Sequence, residues 1–281
     1  MPAARRAVGQ LYQGFAKGYV FAFGRPRGQA VNKVLFHLAL RGQGFNNGWL
    51  LGPSGEGRFI KRLAGDNPKV CVDVGANKGE YSAELLSTTN AKVIAFEPLP
   101  KAYESLAALS ATYPGRLTTV NCGVGDQKGD LVLHYGAADS EHASFSTEVN
   151  EIDYVGAGNV NTMTVPVVTL DDYFADADPA EVPQIDLIKI DTEGFEHEVL
   201  VGAAQTIAKY RPKYIQIEYN LHQLMRGHSL YSLSRLLPDY VPHQILPYGS
   251  GLMQVDPKRP EPNTFCFSNV VFIRRDTLPL R

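Results

Sequence analysis

Residues 70–79 read VCVDVGANKG, a β-branched run that ends in a glycine-containing turn. The apolar residues at 70–74 predict a short buried strand, and the segment 81–86 that follows is compatible with a helix. A second short apolar run comes next, at residues 93–96. The three pieces form one β-α-β unit, whose two strands are expected to lie parallel in a single sheet.

The same alternation continues along the chain. Helices are predicted at residues 102–111 and 196–208, and strands at residues 117–120, 185–190 and 214–218. Strands separated by helical crossovers imply a mostly parallel sheet covered by helices on both faces, which is the doubly wound, Rossmann-like α/β class. Lys189 is unusual inside an apolar strand, so its ammonium must pair with an acid or reach solvent.

A less regular stretch separates the third and fourth strands. Residues 123–168 are rich in glycine, aspartate and serine around two alternating segments, and we interpret them as a hairpin-like insertion. Thr169, with Asp172 three residues later, predicts a helix N-cap and a short helix through Phe174. After Pro238 several prolines weaken the pattern, which ends in a predicted strand at residues 269–273.

The charge distribution divides the chain. No acidic residue precedes Glu56, whereas seven arginines and lysines do, and the remainder has 20 basic against 29 acidic residues, a net charge of −9. We therefore predict a basic, aromatic, helical N-terminal arm or lid at residues 1–53 and an α/β domain at residues 54–281. The apolar residues at 11, 12, 15 and 19 share a helical face. This face predicts packing against the core or a partner, which includes a possible homo-oligomer; a lid and membrane-surface docking remain alternatives.

Composition places the chain among ordinary globular proteins, because 44% of its 281 residues are hydrophobic and 20% are charged. The three cysteines are widely spaced and form no C-x-x-C pair, which indicates thiols in a reducing compartment. No apolar stretch approaches the roughly 20 residues of a transmembrane segment, and none is long enough for a signal-peptide core. We expect a cytoplasmic protein.

Polar or acidic residues follow each of the five predicted strands. In open parallel sheets, ligands bind beyond the carboxyl ends of the strands. The residues at these ends are Asp73, Gly75, Ala76, Asn77 and Gly79, then Glu97 and Pro98, then Asn121, Gly123 and Asp126, then Asp191 and Glu193, and finally Glu218. The sequence therefore predicts a ligand site along one edge of the sheet.

The glycine turn identifies the kind of ligand. A dinucleotide site requires G-x-G-x-x-G, but Asn77 stands in place of its second glycine, and the chain has no G-x-x-x-x-G-K-[ST] phosphate loop. Glu97 ends the second strand, where a carboxylate can accept hydrogen bonds from two ribose hydroxyls. A ribose-bearing ligand without a pyrophosphate is favoured. S-adenosylmethionine fits this description, and its two cations suit a mouth with Asp73 and Asp191.

These residues resemble the FkbM-type methyltransferases, a branch of the class I S-adenosylmethionine-dependent enzymes. Residues 72–77 (VDVGAN) with Gly79 and Tyr81 are similar to the family's cofactor loop, and residues 95–98 (AFEP) to its ribose motif. Residues 168–172 (VTLDD) resemble its connector, and residues 188–194 (IKIDTEG) resemble its most recognisable signature. The resemblance covers more than two-thirds of the chain.

The resemblance implies a seven-stranded, mostly parallel sheet whose last strand, around Val271, is antiparallel. It also implies contacts to the cofactor, with Asp126 near the adenine amino group. Together with the strand-end pattern, it gives these cofactor-binding candidates: Asp73, Gly75, Ala76, Asn77, Gly79, Tyr81, Glu97, Pro98, Asn121, Gly123, Val124, Asp126 and Asp191.

The implied activity is O-methyl transfer to a hydroxyl of a sugar, a polyketide or a related secondary metabolite. A hydroxyl is a poor nucleophile, so a base that accepts its proton is expected to raise the rate by about 10²–10⁴. The candidate catalytic residues are Asp191, Glu193, Glu218, His197 and His222, of which Asp191 and Glu193 lead. Asp191, Glu193 and Glu218 could instead hold Mg²⁺, whereas no His/Cys spacing fits a closed zinc site.

Two other classes of function fit the sequence less well. A non-catalytic nucleoside-binding or assembly module would keep the fold, but the acids at all five strand ends argue against an idle pocket. A nucleic-acid partner is not expected, because the net charge of −9 outside the arm disfavours a phosphate backbone. We therefore expect a small hydroxylated molecule as the acceptor.

Overall fold

The computed structural model describes residues 2–48, 50–136, 142–249 and 251–279, with side chains from residue 13 onward. The chain forms two compact units, Met1–Phe45 and Asn46–Arg281. The first unit contains helices α1 (Pro2–Phe23) and α2 (Gln29–Gly42), and its helical character agrees with the prediction. Among the described residues, no helix is both long enough and apolar enough to cross a membrane.

The second unit is built from alternating helices and strands. Its helices are α3 (Leu51–Ser54), α4 (Glu56–Gly65), α5 (Glu80–Thr88), α6 (Pro100–Ala108), α7 (Asp153–Gly156), α8 (Leu170–Phe174), α9 (Glu196–Val201), α10 (Ala204–Tyr210), α11 (Leu221–Met225) and α12 (Leu230–Leu236). Its strands are β1 (Val70–Val74), β2 (Lys92–Phe96), β3 (Leu117–Val120), β4 (Gly123–Val124), β5 (Gly129–Tyr135), β6 (Asn161–Val168), β7 (Leu187–Ile190), β8 (Tyr214–Tyr219), β9 (Tyr240–Leu246), β10 (Gly251–Gln254) and β11 (Ser268–Arg274).

Eight of the described strands form one sheet, in the order β10-β9-β11-β8-β7-β1-β2-β3. Strands β3, β2, β1, β7 and β8 are parallel neighbours, and β11 runs antiparallel between β8 and β9. This topology confirms the doubly wound α/β class with an antiparallel last strand. The sheet has one strand more than the seven predicted, because β10 pairs with β9 and extends the edge.

The register of the central strands brings the loops at their carboxyl ends together. Val74 of β1 pairs with Phe96 of β2 and with Ile190 of β7. The chain continues from these paired residues into Gly75, Glu97 and Asp191. Because paired residues end at the same level of a parallel sheet, the polar residues that follow them lie along one edge.

Side chains of β1 alternate between two buried layers, as the period of a strand requires. Val72 and Val74 belong to the core on one face, and Cys71 belongs to the core on the other. Asp73 points to the same face as Cys71 and is fully buried. The sheet is thus covered on both faces, and one polar position lies inside it.

The predicted insertion and N-cap are both present. Strands β5 and β6 pair antiparallel, and β6 also pairs with β4 in a separate three-stranded sheet. The Thr169 side chain accepts a hydrogen bond from the backbone N–H of Asp172 (2.9 Å) and caps helix α8. Strand β9 was not predicted, because Pro242 lies inside it. Val241 and His243, on either side of Pro242, pair with Ile273 and Val271 of β11, so the missing N–H does not end the strand.

The turn after β1 depends on glycine at position 75. Gly75 has a φ of +78°, and a Cβ at this position would lie 1.8 Å from the Asp191 carbonyl oxygen. A side chain here would therefore push the β1 and β7 loops apart, in addition to the cost of a left-handed backbone.

Gly75→Ala is expected to lower the free energy of unfolding by about 2–4 kcal/mol, because it combines left-handed strain with a backbone clash. Urea denaturation checks this. Gly65→Ala is the matched control, since a Cβ at this helical position meets nothing within 4 Å. Equal stability of the two variants would show that the β1 and β7 loops do not meet as described.

Candidate functional site

A cavity of about 750 Å³ lies at the carboxyl edge of the central strands. This strand-end cavity falls within the size range of small-molecule sites. The predicted site residues that line it are Gly75, Ala76, Asn77, Tyr81, Glu97, Pro98, Gly123, Val124, Asp191, Glu193, Glu218 and His222. Twelve of the seventeen candidates therefore share one space, although they come from five separate segments of the chain.

Two other candidates are not part of the lining but bond to residues in or next to it. Asp73 is fully buried, and it accepts a hydrogen bond from the Ser82 hydroxyl (2.6 Å). Asn121 donates its amide N–H to the carbonyl oxygens of Glu97 (2.8 Å) and Pro98 (3.2 Å). Both residues hold neighbouring chain in place rather than facing the cavity.

The remaining three candidates lie outside the cavity lining. Gly79 has a φ of +88° and precedes α5, and Asp126 is exposed. His197 stacks on His228, with ring centroids 4.1 Å apart. The structure therefore does not bring His197 to the other catalytic candidates.

A row of polar side chains crosses the middle of the sheet. Asp73 of β1 pairs in register with Lys189 of β7, which pairs with Gln216 of β8. The Lys189 ammonium lies 3.6 Å from Asp73 Oδ1 and 3.0 Å from Asp191 Oδ2. Burial alone would lower the pKa of Lys189, but Asp191, Asp73 and Glu56 raise it above its ordinary value. Lys189 is thus a buried cation held charged by acids.

The row continues into a hydrogen-bond network that the sequence did not reveal. The Tyr81 hydroxyl donates to Gln216 Oε1 (2.7 Å), and the Gln216 amide donates to Glu56 Oε1 (2.6 Å). Ser54 donates its hydroxyl to the other Glu56 oxygen (3.0 Å). Gln216 pairs with Lys189 and lies on the same face of the sheet. The alternation of side chains along a strand could therefore have indicated it. Glu56 gave no comparable signal, because it lies on a helix far away in sequence.

Glu97 is fixed by two backbone donors. Its Oε2 accepts from the N–H of Asn77 (2.8 Å), and its Oε1 accepts from the N–H of Leu99 (2.8 Å). Glu97 is 6% exposed, and burial raises the pKa of its carboxyl to about 7 against the opposing effect of these donors. Each oxygen keeps a further lone pair, so the group can accept two hydroxyl hydrogen bonds from a ribose.

Apolar side chains line another part of the cavity. They are Phe96, Cys122, Val124, Leu133 and Phe145. A Cβ at Gly123 would lie 2.5 Å from the Phe145 ring, so glycine is required for this ring to approach the chain. Such a surface suits the faces of an adenine ring, while Glu97 suits the ribose. The residues present therefore fit the nucleoside half of S-adenosylmethionine.

Three carboxylates meet in the same cavity. Asp191, Glu193 and Glu218 each offer an oxygen, and these atoms all lie within 4.8 Å of one another. Burial raises the pKa of Glu218 well above its ordinary value, and the charges of Asp191 and Glu193 raise it further. Concentrated negative charge of this kind favours a cation nearby, which fits the ammonium and sulfonium groups of the same cofactor.

Glu193 is held by two imidazoles. Its carboxylate lies 2.9 Å from His222 Nδ1 and 3.5 Å from His142 Nδ1. Burial would raise its pKa, but the two imidazoles lower it to about 2. The backbone of Glu193 has a φ of +53°, and its carbonyl accepts a hydrogen bond from the Ser144 hydroxyl (2.7 Å). The glutamate is therefore an ionised, fixed partner for His222.

His222 is 2% exposed and lies in the first turn of helix α11, whose N-cap is Asn220. Within the described part of the chain, its Nε2 is buried and has no hydrogen-bond partner. Gly194 makes room for it, because a Cβ at Gly194 would lie 3.2 Å from the His222 Cβ. An unsatisfied buried nitrogen is costly, so a ligand group at Nε2 would be favoured.

The insertion supplies lining residues that sequence reasoning missed. His142, Phe145 and Tyr154 all lie between β5 and β6, and all three line the cavity. Their only sequence signal was membership of an irregular segment between two strands. Spacing to the strand-end motifs could not have identified them.

Residues 73–238, more than half of the chain, match the family of the methyltransferase FkbM domain. The chain belongs to the FkbM methyltransferase family. The matched range includes the glycine turn after β1, Glu97, and the Asp191, Glu193 and His222 group.

Two curated relatives of the FkbM chain are named for methyl transfer. It is 30% identical over 141 residues to the hexuronic acid methyltransferase AglP of Haloferax volcanii, a match of 49% of this chain and 51% of that protein. It is 26% identical over 196 residues to the 2-O-methyltransferase NoeI of Sinorhizobium fredii, covering 65% and 76%. The chain thus spans about half the length of the first relative and three quarters of the second.

A solved structure is also similar to the FkbM chain. It is the TehB-like SAM-dependent methyltransferase of Corynebacterium glutamicum, with 15% identity, a TM-score of 0.41, and coverage of 88% of this chain and 99% of that one.

Binding of S-adenosylhomocysteine is expected to tighten by about five- to tenfold between pH 6 and pH 8, since a carboxyl with a pKa of about 7 becomes ionised over this range and then accepts both hydroxyls. Calorimetry measures this. Glu97→Gln should weaken binding by about tenfold at pH 8 and remove the pH dependence. Glu104→Gln, at an exposed surface pair, is the control. A pH profile unchanged by Glu97→Gln would place the ribose elsewhere.

Proposed function

We propose that the chain is an S-adenosylmethionine-dependent O-methyltransferase that acts on a hydroxyl of a sugar or a related secondary metabolite. The observation that carries this proposal is the content of one cavity. It contains Glu97, with both oxygens pre-positioned by backbone donors, and His222, with a buried nitrogen that has no partner among the described residues. Glu97 can accept hydrogen bonds from the hydroxyls of a nucleoside, and this nitrogen of His222 can accept the proton of the acceptor hydroxyl.

We assign cofactor binding to three parts of the cavity lining. Glu97 would hold the ribose hydroxyls, and the apolar lining around Phe145 would hold the adenine. Asp191 would face the cationic part. Burial raises the pKa of its carboxyl, and the Lys189 ammonium at 3.0 Å opposes that rise. When bound, S-adenosylmethionine supplies a methyl group on a positively charged sulfur, which leaves as a neutral thioether when the methyl carbon bonds to the acceptor oxygen.

The proton of the acceptor hydroxyl is assigned to His222. Its Nε2 would accept this proton as the oxygen bonds to the methyl carbon, and the ionised Glu193 at Nδ1 would orient the ring and stabilise the imidazolium. Asp191 and Glu193 led the sequence-based candidates, but the Asp191 carboxylate is paired with Lys189 at 3.0 Å, and the Glu193 carboxylate lies 2.9 Å from His222 Nδ1. A pair of imidazole and carboxylate is the better base in this geometry.

The choice of a hydroxyl acceptor draws on the relatives. One of them is named for hexuronic acid and another for 2-O-methylation. The exposed lining residues His142 and Tyr154 offer hydrogen-bonding groups, which suit a hydroxylated molecule. A polyketide hydroxyl meets the same chemical requirement.

His222→Gln is expected to lower turnover by about 10²–10⁴, because the base is lost, while S-adenosylhomocysteine affinity stays within about twofold. Turnover is measured as methyl transfer from labelled cofactor to a panel of hydroxylated sugars and metabolites. His197→Gln, outside the cavity, should retain at least about half of the turnover. An equal loss in both variants would remove the assignment of the base to His222.

The sequence also left open Mg²⁺ at Asp191, Glu193 and Glu218. Their oxygens are close enough for a divalent cation, but Lys189 already places a positive charge against Asp191, and Glu193 is engaged by two imidazoles. We therefore expect EDTA to leave turnover within about twofold, since the base is a side chain. Loss of turnover in EDTA that added Mg²⁺ restores would favour the metal mechanism instead.

The non-catalytic alternative is separated by the same assay. A nucleoside-binding module would bind S-adenosylhomocysteine through Glu97 and release no methyl group to any acceptor. Binding without transfer across the whole panel would therefore support that alternative.

A further inference from the structure

Helix α2 carries an apolar stripe that is exposed. Val31, Val34, Leu35 and Leu38 lie at positions i, i+3, i+4 and i+7, which places them on one helical face. Their exposed fractions are 47%, 58%, 46% and 61%. A stripe of this spacing normally packs against another element, so its exposure indicates that it faces a different kind of surface.

Helix α1 presents apolar side chains in the same way. Phe15 and Phe21 are 74% and 76% exposed. The polar tip of Tyr19 is already used within the pair of helices, because its hydroxyl donates to Asn32 Oδ1 (2.5 Å). The Arg25 guanidinium lies 5.3 Å from the centroid of the Phe21 ring. Exposed aromatic rings beside cations are typical of helices that lie in a membrane interface.

The charge of this segment is of one sign. The segment comprises residues 1–45, and its basic residues are Arg5, Arg6, Lys17, Arg25, Arg27, Lys33 and Arg41. The first 55 residues of the chain contain no aspartate or glutamate. Seven cations without a carboxylate in the same segment give a strongly positive potential. A surface that complements this segment must therefore be both negatively charged and able to accept apolar side chains.

We propose that helices α1 and α2 bind the surface of an anionic lipid bilayer, with the α2 stripe and the exposed phenylalanines in the interface and the basic side chains at the headgroups. Anionic headgroups attract cations near the surface, and the acyl boundary accepts apolar side chains. The segment lies on the membrane and does not span it. A second copy of the helices fits less well, because it would bring two sets of seven cations together.

Vesicle co-sedimentation of the full chain tests the proposal. The partition coefficient on vesicles with about 30% phosphatidylserine is expected to exceed that on pure phosphatidylcholine at least about tenfold. Raising NaCl from about 0.1 to 0.5 M should lower it at least about fivefold, since the screening length shrinks.

Two variants separate the contributions. Val34→Asp combined with Leu38→Asp should lower binding to anionic vesicles at least about tenfold, because it puts charge on the stripe. Lys17→Gln combined with Lys33→Gln should also lower it, by about fivefold per cation at most. Val160→Asp combined with Val201→Asp changes exposed valines of the other unit and is the matched control, expected to bind as the unmodified chain does.

Helical content by circular dichroism and methyl transfer are measured on every variant, so a folding defect is recognised. If the Val34→Asp and Leu38→Asp variant loses helical content, the lysine variant and the salt series decide. Equal or absent binding to the two vesicle types overturns the proposal. So does a chain that is dimeric by light scattering and becomes monomeric in the stripe variant without any loss of vesicle binding. Methyl transfer is independent of these outcomes.

Discussion

The ion pairs of Lys189 are the interaction on which the rest of the structure depends. A cation buried in the middle of a sheet is stable only when acids compensate for its lost hydration. Here Asp73 comes from the neighbouring strand and Asp191 from the end of the same strand. The requirement to pair Lys189 thus holds two neighbouring strands in register and fixes the Asp191 carboxyl at the cavity.

The glutamates of the cavity differ in pKa because their surroundings differ. Burial raises the pKa of Glu97 to about 7, whereas two imidazoles hold the pKa of Glu193 at about 2. Glu193 therefore remains an anion at any working pH and can orient His222. Glu97 changes charge near neutrality, so the hydrogen bonds proposed between its oxygens and a ribose would depend on pH. Burial, together with the neighbouring acids, raises the pKa of Glu218 well above its ordinary value.

Much of this arrangement could be predicted from the sequence, because it follows from strand period and strand ends. The β-α-β unit at residues 70–96 predicted that the strands run parallel. Parallel strands end at the same edge of the sheet, which is the edge at which Glu97 and Asp191 lie. The apolar context of Lys189 predicted that it must pair with an acid or reach solvent. These inferences use only neighbours in sequence and the geometry of a parallel sheet.

What escaped prediction depends on contacts distant in sequence. Glu56 reaches the site through Gln216, and neither residue signals the other along the chain. The insertion contributes His142 through its fold rather than through any motif. The sequence did not separate His222 from the other candidate bases. Its place beside the Glu193 carboxylate depends on the positive φ of Glu193 and on the absence of a side chain at Gly194. Strand β9 was hidden by Pro242, whose missing N–H is tolerated in its place in the sheet.

A crystal structure of the chain with S-adenosylhomocysteine tests the central claim most directly. The account predicts both ribose hydroxyls within hydrogen-bond distance of the Glu97 oxygens, the adenine against Phe145, and the sulfur on the side of the cavity that holds Asp191 and His222. An adenosine bound outside the strand-end cavity, or a sulfur facing away from His222 with other groups around it, would contradict the account.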